Sequence, residues 1–155
     1  MPGLKTIYGR DGIPIADVRA AVIRSWLLND IGEAIFSIAT SSIKCRREVL
    51  GYGNYIVVQN DFLPDWVGII DTPRTWHNGY VEVRAFEVPL ILKYRLTPLN
   101  LTISGDAGSK VEQLISIANA KAETLIRPGS IYKNGIVSDE VLTGSVYDQI
   151  KKIRS

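Results

Sequence analysis

The stretch WVGIIDTPRTWHNGYVEVRAF, running from Trp66 to Phe86, decides the fold class, because it specifies a β-hairpin almost by itself. Asn78-Gly79 can take the positive φ angles of a tight type I′ turn, and Val81, Val83 and Ala85 recur at every second residue after it. That spacing turns one side of the strand toward a core. With Asn78-Gly79 as a two-residue loop, Trp76 faces Val81 and His77 faces Tyr80, while Pro73 breaks the ladder or introduces a bulge. Upstream, LGYGNYIVVQ (residues 50–59) carries a further strand from Tyr55 to Gln59, and Pro64-Asp65 is the turn that follows it. The middle of the chain is therefore antiparallel sheet, and the residues by themselves describe a soluble β-rich domain.

Toward the N-terminus, Gly3, Gly9, Gly12 and Pro14 make the first 17 residues turn-rich. Val18 to Leu28 fits both a helical stripe (Val18, Ala21, Val22, Ser25, Trp26) and strand runs at Val22-Ile23 and Trp26-Leu27-Leu28. Asn29-Asp30-Ile31-Gly32 is a turn signal, and Ala34, Phe36 and Ile38 then alternate with Ile35 and Ser37. A hairpin across Gly32 follows, which tips the ambiguous segment toward strand. Ser41 to Leu50 reads as a polar connection or a short helical turn.

Beyond Phe86, Pro89-Leu-Ile-Leu-Lys-Tyr94 is either a short helix beginning at its proline or a final strand, ended by Thr97-Pro98. Gly105-Asp-Ala-Gly108 leads into the best helix of the chain, with Ser109 as N-cap and Val111, Leu114, Ile115 and Ala118 on one face. Pro128-Gly129 and Asn134-Gly135 punctuate a loop or hairpin, and Val146 to Ile153 begins another amphipathic helix. This last helix reaches Ser155 without a terminating signal, as expected of a trimmed chain or a natural short form. Its apolar positions Val146, Ile150 and Ile153 call for cover from the barrel or from another subunit. Strand content is expected within residues 18–88 and helix after 105, with no internal repeat.

Composition narrows the function classes. The 155 residues suit one ordinary domain, and 46% hydrophobic content with 22% charge is globular. Eighteen basic and 16 acidic residues leave a net charge of +2, too weak a field to make nucleic acid or an anionic membrane an obligatory partner. Lys44, Arg46 and Arg47 form a local basic cluster that reads as a solvated face. Cys45 is the single cysteine, so no intramolecular disulfide and no cysteine metal cluster can form. The start, MPGLKTIYGRDG, has no apolar region of signal-peptide length, and no apolar run approaches the ~20 residues of a membrane span. Synthesis and folding in the cytoplasm, without membrane insertion, are expected. Asn100-Leu101-Thr102 matches the glycosylation sequon by chance.

Each constellation with chemical potential has a plainer reading. Gly105-Asp-Ala-Gly-Ser-Lys110 has the flavour of a phosphate loop opening a helix, but two residues between its glycines miss the Walker spacing of four, leaving a capping turn. Asp65, Asp71, Glu82 and Glu87 are candidate acid and base residues for glycoside hydrolysis, yet Glu82 and Glu87 differ in strand parity and face opposite sides of a regular sheet. Triad catalysis would need His77, the single histidine, which flanks a turn; Gly144-Ser145 lacks the pattern of a nucleophile elbow. Trp26, Trp66, Trp76, Tyr52, Tyr55 and Tyr80 would stack on bases or sugars if they lined one face, but strand aromatics are mostly core. No catalytic, cofactor-binding or metal-binding residue is assigned.

Four segments read in order carry a resemblance: residues 24–38 (RSWLLNDIGEAIFSI), 53–58 (GNYIVV), 66–76 (WVGIIDTPRTW) and 92–95 (LKYR). They resemble the N-terminal part of tail-tip or baseplate hub proteins of tailed bacteriophages and prophages. The first is similar to that family's opening hairpin, the second and third to a Gly-Asn edge beside a Trp-x-Gly-x-Ile strand. Residues 109–127 are similar to the helix and loop after its first barrel. The resemblance implies a β-rich α+β fold, a small antiparallel β-barrel or sandwich followed by short helices. It implies a turn-rich segment at 1–17, a barrel-like hub domain at 18–96, and an extension at 97–155 leading toward a further domain that is absent or trimmed. The implied function is structural: a subunit of a tail tip or baseplate hub, in a ring, by resemblance threefold, that joins tail tube to tip around the DNA channel. Its partners would be itself and other phage tail proteins, with DNA only as passing cargo and no cofactor. Its place would be the virion tail, after synthesis in the host bacterial cytoplasm, and no catalytic residue carries over, so no enzyme is expected. The alternative is a β-barrel module binding carbohydrate or single-stranded nucleic acid, favoured if Trp66, Trp76 and Tyr55 cluster on one exposed face. A hydrolase would instead show two carboxylates converging in a cleft.

Overall fold

The structure, a computed structural model of the chain, describes residues 3–25, 30–59, 65–71, 74–122, 124, 126–131 and 140–154. The chain divides into two compact units, Met1–Val88 and Pro89–Ser155.

The first unit is built from strands β1 (Gly3–Tyr8), β2 (Pro14–Ser25), β3 (Glu33–Ala39), β4 (Tyr55–Val58), β5 (Trp66–Ile70), β6 (Thr75–Trp76) and β7 (Tyr80–Glu87). Neighbours run β3-β2-β1-β4-β5-β7, all antiparallel, and β7 pairs back onto β3, so six strands close into a barrel with β6 alongside β7. The fold class is the expected one, and of its two forms the chain adopts the barrel. β2 makes closure possible: its residues 14–20 pair with β1 and its residues 21–25 with β3. Following the register from Ser25 through Glu33, Phe86, Ile69, Tyr55 and Tyr8 returns to β2 at Pro14, 11 residues nearer the N-terminus (25 − 14). One of these residues is absorbed at the irregularity between Ile7 and Tyr8. A stagger this large for six strands tilts them steeply and leaves an interior that side chains alone can fill.

That interior holds Ile7, Val18, Phe36, Ile38, Ile56, Ile70, Val81 and Val83, all fully buried. Each such side chain contributes roughly 1.5–3 kcal/mol relative to exposure. The Phe36 and Trp66 rings meet at 5.9 Å, tilted by 41°. Trp66 lies across Gly68, two residues on and on the same face, where an added Cβ would stand 2.1 Å from the indole Cη2. The Trp-x-Gly spacing thus has a packing cause.

The hairpin register is the expected one, with Trp76 opposite Val81, and the His77 and Tyr80 rings stack at 4.5 Å. The turn type is corrected. Gly79 has φ +89°, but Asn78 is not left-handed, so the turn has one positive φ at its second central residue, as type II does, rather than the two of type I′. Because β6 is two residues long, the turn need not carry the twist of an extended ribbon. Upstream, Ile70 stands opposite Ala85 and Thr75 opposite Glu82, so a step of five residues on one side answers a step of three on β7, where a break or bulge is expected. Pro73 itself lies outside the described residues.

The hairpin across Gly32 forms as β2 and β3, and Tyr55–Val58 is the expected strand. β1 occupies residues that read as turn-rich. Its inward positions are Lys5 and Ile7, and Lys5 hides the alternation because its stem is buried like an apolar side chain. The glycine-rich turn proper is confined to residues 9–13, where Gly9 N–H bonds Ile13 O at 2.8 Å.

In the second unit, α1 (Leu90–Lys93) resolves the Pro89 segment as helix, followed by β8 (Leu101–Ile103), α2 (Ala107–Lys121), β9 (Glu140–Leu142) and α3 (Val146–Arg154). β8 and β9 pair antiparallel, a ladder not read from the sequence, and bonds from Thr97 N–H to Gly144 O and from Val146 N–H to Arg95 O run alongside it. α3 packs on α1 and α2; Val146 is fully buried, while Ile150 and Ile153 are half-buried. Asn134-Gly135 lies outside the described residues.

Two substitutions test this packing. Gly79→Val forces a β-branched residue into the left-handed region and should lower stability by about 1–3 kcal/mol. Gly68→Ala should cost about 1–3 kcal/mol by displacing the Trp66 ring. Denaturant titration reads both, and Trp fluorescence should shift with Gly68→Ala and stay in place with Gly79→Val.

Candidate functional site

Acidic candidates that share a strand are held apart, and two of the four also make structural contacts. Asp65 and Asp71 flank the two ends of β5, about 20 Å apart at strand rise, and Glu82 and Glu87 are about 17 Å apart on β7, both beyond the reach of a carboxylate pair. Glu87 accepts the Gly32 N–H at 3.1 Å, and its own N–H bonds Gly32 O, fastening the end of β7 to the turn before β3. Glu82 lies 3.3 Å from Nε2 of His77, beside the stacked Tyr80, on the partly exposed β6–β7 turn. Among the described residues, no group of three or more His, Cys, Asp or Glu side chains is placed to hold a metal.

The loop from Gly105 to Lys110 is closed by its own acid. Asp106, not Ser109, is the N-cap of α2: its Oδ1 accepts the Ser109 N–H at 2.9 Å and its Oδ2 the Ser109 hydroxyl at 3.0 Å. A carboxylate thus occupies the place that a phosphate would take. Ser109 falls one turn too late for the cap because its own N–H is the group being capped. The Ser109 N–H, as the main cause, holds the Asp106 carboxyl below the ordinary carboxylate value. Ser145 is likewise a cap, its hydroxyl accepting the Asp148 N–H at 3.1 Å and donating to the Asp148 carboxylate at 2.6 Å.

The aromatics do not share an exposed face. Trp66 and Tyr55 are 5% and 8% exposed, whereas Trp76 is 60% exposed; Trp26 lies outside the described residues. Tyr52 is exposed at the other turn, where Arg10 stacks over its ring and donates to its carbonyl at 2.6 Å. Cys45 packs against the barrel core, and burial raises its thiol pKa while Arg74 pulls it down.

What remains is a surface. Leu4, Asp17 and Arg19 on β1 and β2, with Ala39 at the end of β3 and Ser41, Ser42, Ile43 and Lys44 after it, line an open groove of about 370 Å³. Leu4 and Ile43 are 59% and 72% exposed at its rim. Next to it, Ala39 pairs with Tyr80 and Thr40 N–H bonds Gly79 O at 3.1 Å, which brings the β6–β7 turn to the same rim. Lys44 of the basic cluster reaches into the groove and donates to Asp17 O at 2.8 Å; Arg46 and Arg47 are exposed on the loop that follows. Sequence reading missed this groove, since Leu4 and Ile43 fall in segments dominated by turn and polar residues. Two isolated apolar residues were the only signal.

No protein-family model and no curated protein matches the chain in sequence. Among solved structures, its fold is similar to that of prophage tail protein gp18 from Listeria monocytogenes EGD-e, with a TM-score of 0.57 and 11% identity over 97% of this chain. The chain spans less than half, 45%, of the length of that structure.

The Asp106 cap makes a pH prediction. A carboxyl with a lowered folded pKa stabilises above its unfolded pKa, and that contribution is lost as pH falls through the folded value. Asp106→Asn keeps a capping oxygen but does not titrate. Thermal midpoints of the two proteins should differ at neutral pH and converge in acid; parallel profiles would remove the assignment.

Proposed function

We propose that the chain is a structural subunit of a bacteriophage tail tip or baseplate hub, acting in a ring that joins tail tube to tip around the DNA channel. The observation that carries this reading is the fold likeness to a prophage tail protein along nearly the whole chain, hairpin, barrel and following helices included. The sequence resemblance in residues 24–38, 53–58 and 66–76 points the same way. In this reading the barrel unit Met1–Val88, rather than the expected 18–96, serves as the hub domain and Pro89–Ser155 as its extension, and the chemistry is protein contact rather than turnover. The partners are further copies and other tail proteins in the virion, with DNA passing through. Synthesis takes place in the host bacterial cytoplasm. The rival reading, a carbohydrate or single-strand binding module, needs exposed stacking rings in one place, and burial of Trp66 and Tyr55 withdraws two of its three.

A cyclic ring requires each subunit to present two different surfaces to its neighbours. The isolated chain should show weak, concentration-dependent self-association by sedimentation velocity, and antibodies against it should label the tip of purified tails in electron micrographs. A chain that stays monomeric throughout and is absent from tails would remove the hub reading.

A further inference from the structure

Part of one edge of β2, the barrel's longest strand, has no neighbour among the described residues. Register between β2 and β3 stops at Ala21 opposite Ser37, while register with β1 continues from Ala20 back to Pro14. Residues 14–19 of β2 are thus paired on one side alone among the described residues. Lys44 reveals how their backbone is turned. Its ammonium reaches Asp17 O from the groove side, so the Asp17 carbonyl faces the groove. Successive residues of a regular antiparallel strand direct their N–H and C=O to alternate sides, so Arg19 aims its own the same way as Asp17, up to the bulge at Ile15 where the alternation is interrupted.

We propose that this groove accepts an extended, acidic segment of another protein, added as a strand along the regular part of this edge, residues 16–19 of β2. An open edge supplies main-chain affinity, and side-chain pockets beside it supply selectivity. A lysine laid on such an edge is a guard against indiscriminate pairing. Here the guard is displaceable: an incoming N–H takes the Asp17 carbonyl, and the released Lys44 ammonium turns to an incoming carboxylate.

Charge selects the partner. Arg19, Lys44, Arg46 and Arg47 stand against Asp17 and Glu48 on the groove and its loop, a local excess of two positive charges. Among the described residues, Arg19 makes no ion pair or side-chain hydrogen bond, so it is available. Leu4 and Ile43 give the alternate side chains of the incoming strand an apolar cover, and Tyr80, opposite Ala39 on the same face, extends it. Aromatic and arginine side chains around an apolar centre are the composition of protein interfaces. The proposal stands independently of a tail role.

The test uses the full chain and capped octapeptides of alternating valine and glutamate, followed by amide chemical shifts. The glutamate peptide should perturb Asp17, Arg19 and Ile43 in a saturable way. The valine–lysine peptide, and a glutamate peptide N-methylated at alternate residues, should not. Arg19→Glu, an exposed change that leaves the spectrum of the barrel otherwise intact, should weaken binding about fivefold, the scale of one or two exposed charge contacts. Equal binding by the N-methylated peptide would mean charge attraction without strand addition and would overturn the proposal. So would the absence of shifts at residues 16–19, or a DNA duplex that perturbs those residues at lower concentration than the peptide.

Discussion

Everything in the barrel depends on one strand serving two neighbours at different heights. β2 gives its first half to β1 and its second half to β3, and the offset between these pairings is what brings β7 round to meet β3. Closure removes most free edges, which antiparallel sheets otherwise have to defend. It also creates the conditions for the core, since strands this steeply tilted enclose a space that Phe36, Trp66 and the surrounding isoleucines and valines fill without a lumen. The same offset leaves part of β2 beyond the reach of β3, and the loop after β3 folds back there, with Lys44 on the Asp17 carbonyl. The groove is a geometric consequence of closing a staggered barrel.

The polar chemistry of the chain is spent on holding its own backbone. Asp106 caps α2, Ser145 and Asp148 cap α3, Glu87 ties a turn, and the Asn54 side-chain amide donates to the carbonyls of Glu48 and Val49. These groups satisfy buried or terminal backbone atoms that would be costly to leave unpaired. A carboxylate that fastens a turn is not poised for proton transfer, and a helix N-terminus filled by its own aspartate has little left for a phosphate. The apolar and basic rim around the groove combines an open shape with exposed Leu4 and Ile43 and the Lys44, Arg46 and Arg47 charges.

The sequence by itself determined the strands whose alternation is clean. Val81, Val83 and Ala85, and Ala34, Phe36 and Ile38, face inward at every second residue, and a period of two admits no other regular structure. It also determined the two longer helices, whose apolar spacing is legible without context. It did not determine β1, where a lysine holds an inward position, nor the pairing of β8 with β9, which 36 intervening residues separate. It misread Asn78, which does not take the left-handed conformation that an Asn-Gly pair permits, beside a strand β6 only two residues long. Tertiary structure alone decided barrel over open sandwich, since closure rests on the register of strands distant in sequence, and register is set when inward faces meet. It alone decided the groove, because an unpaired edge is defined by where a neighbouring strand ends, and that is a property of two segments together.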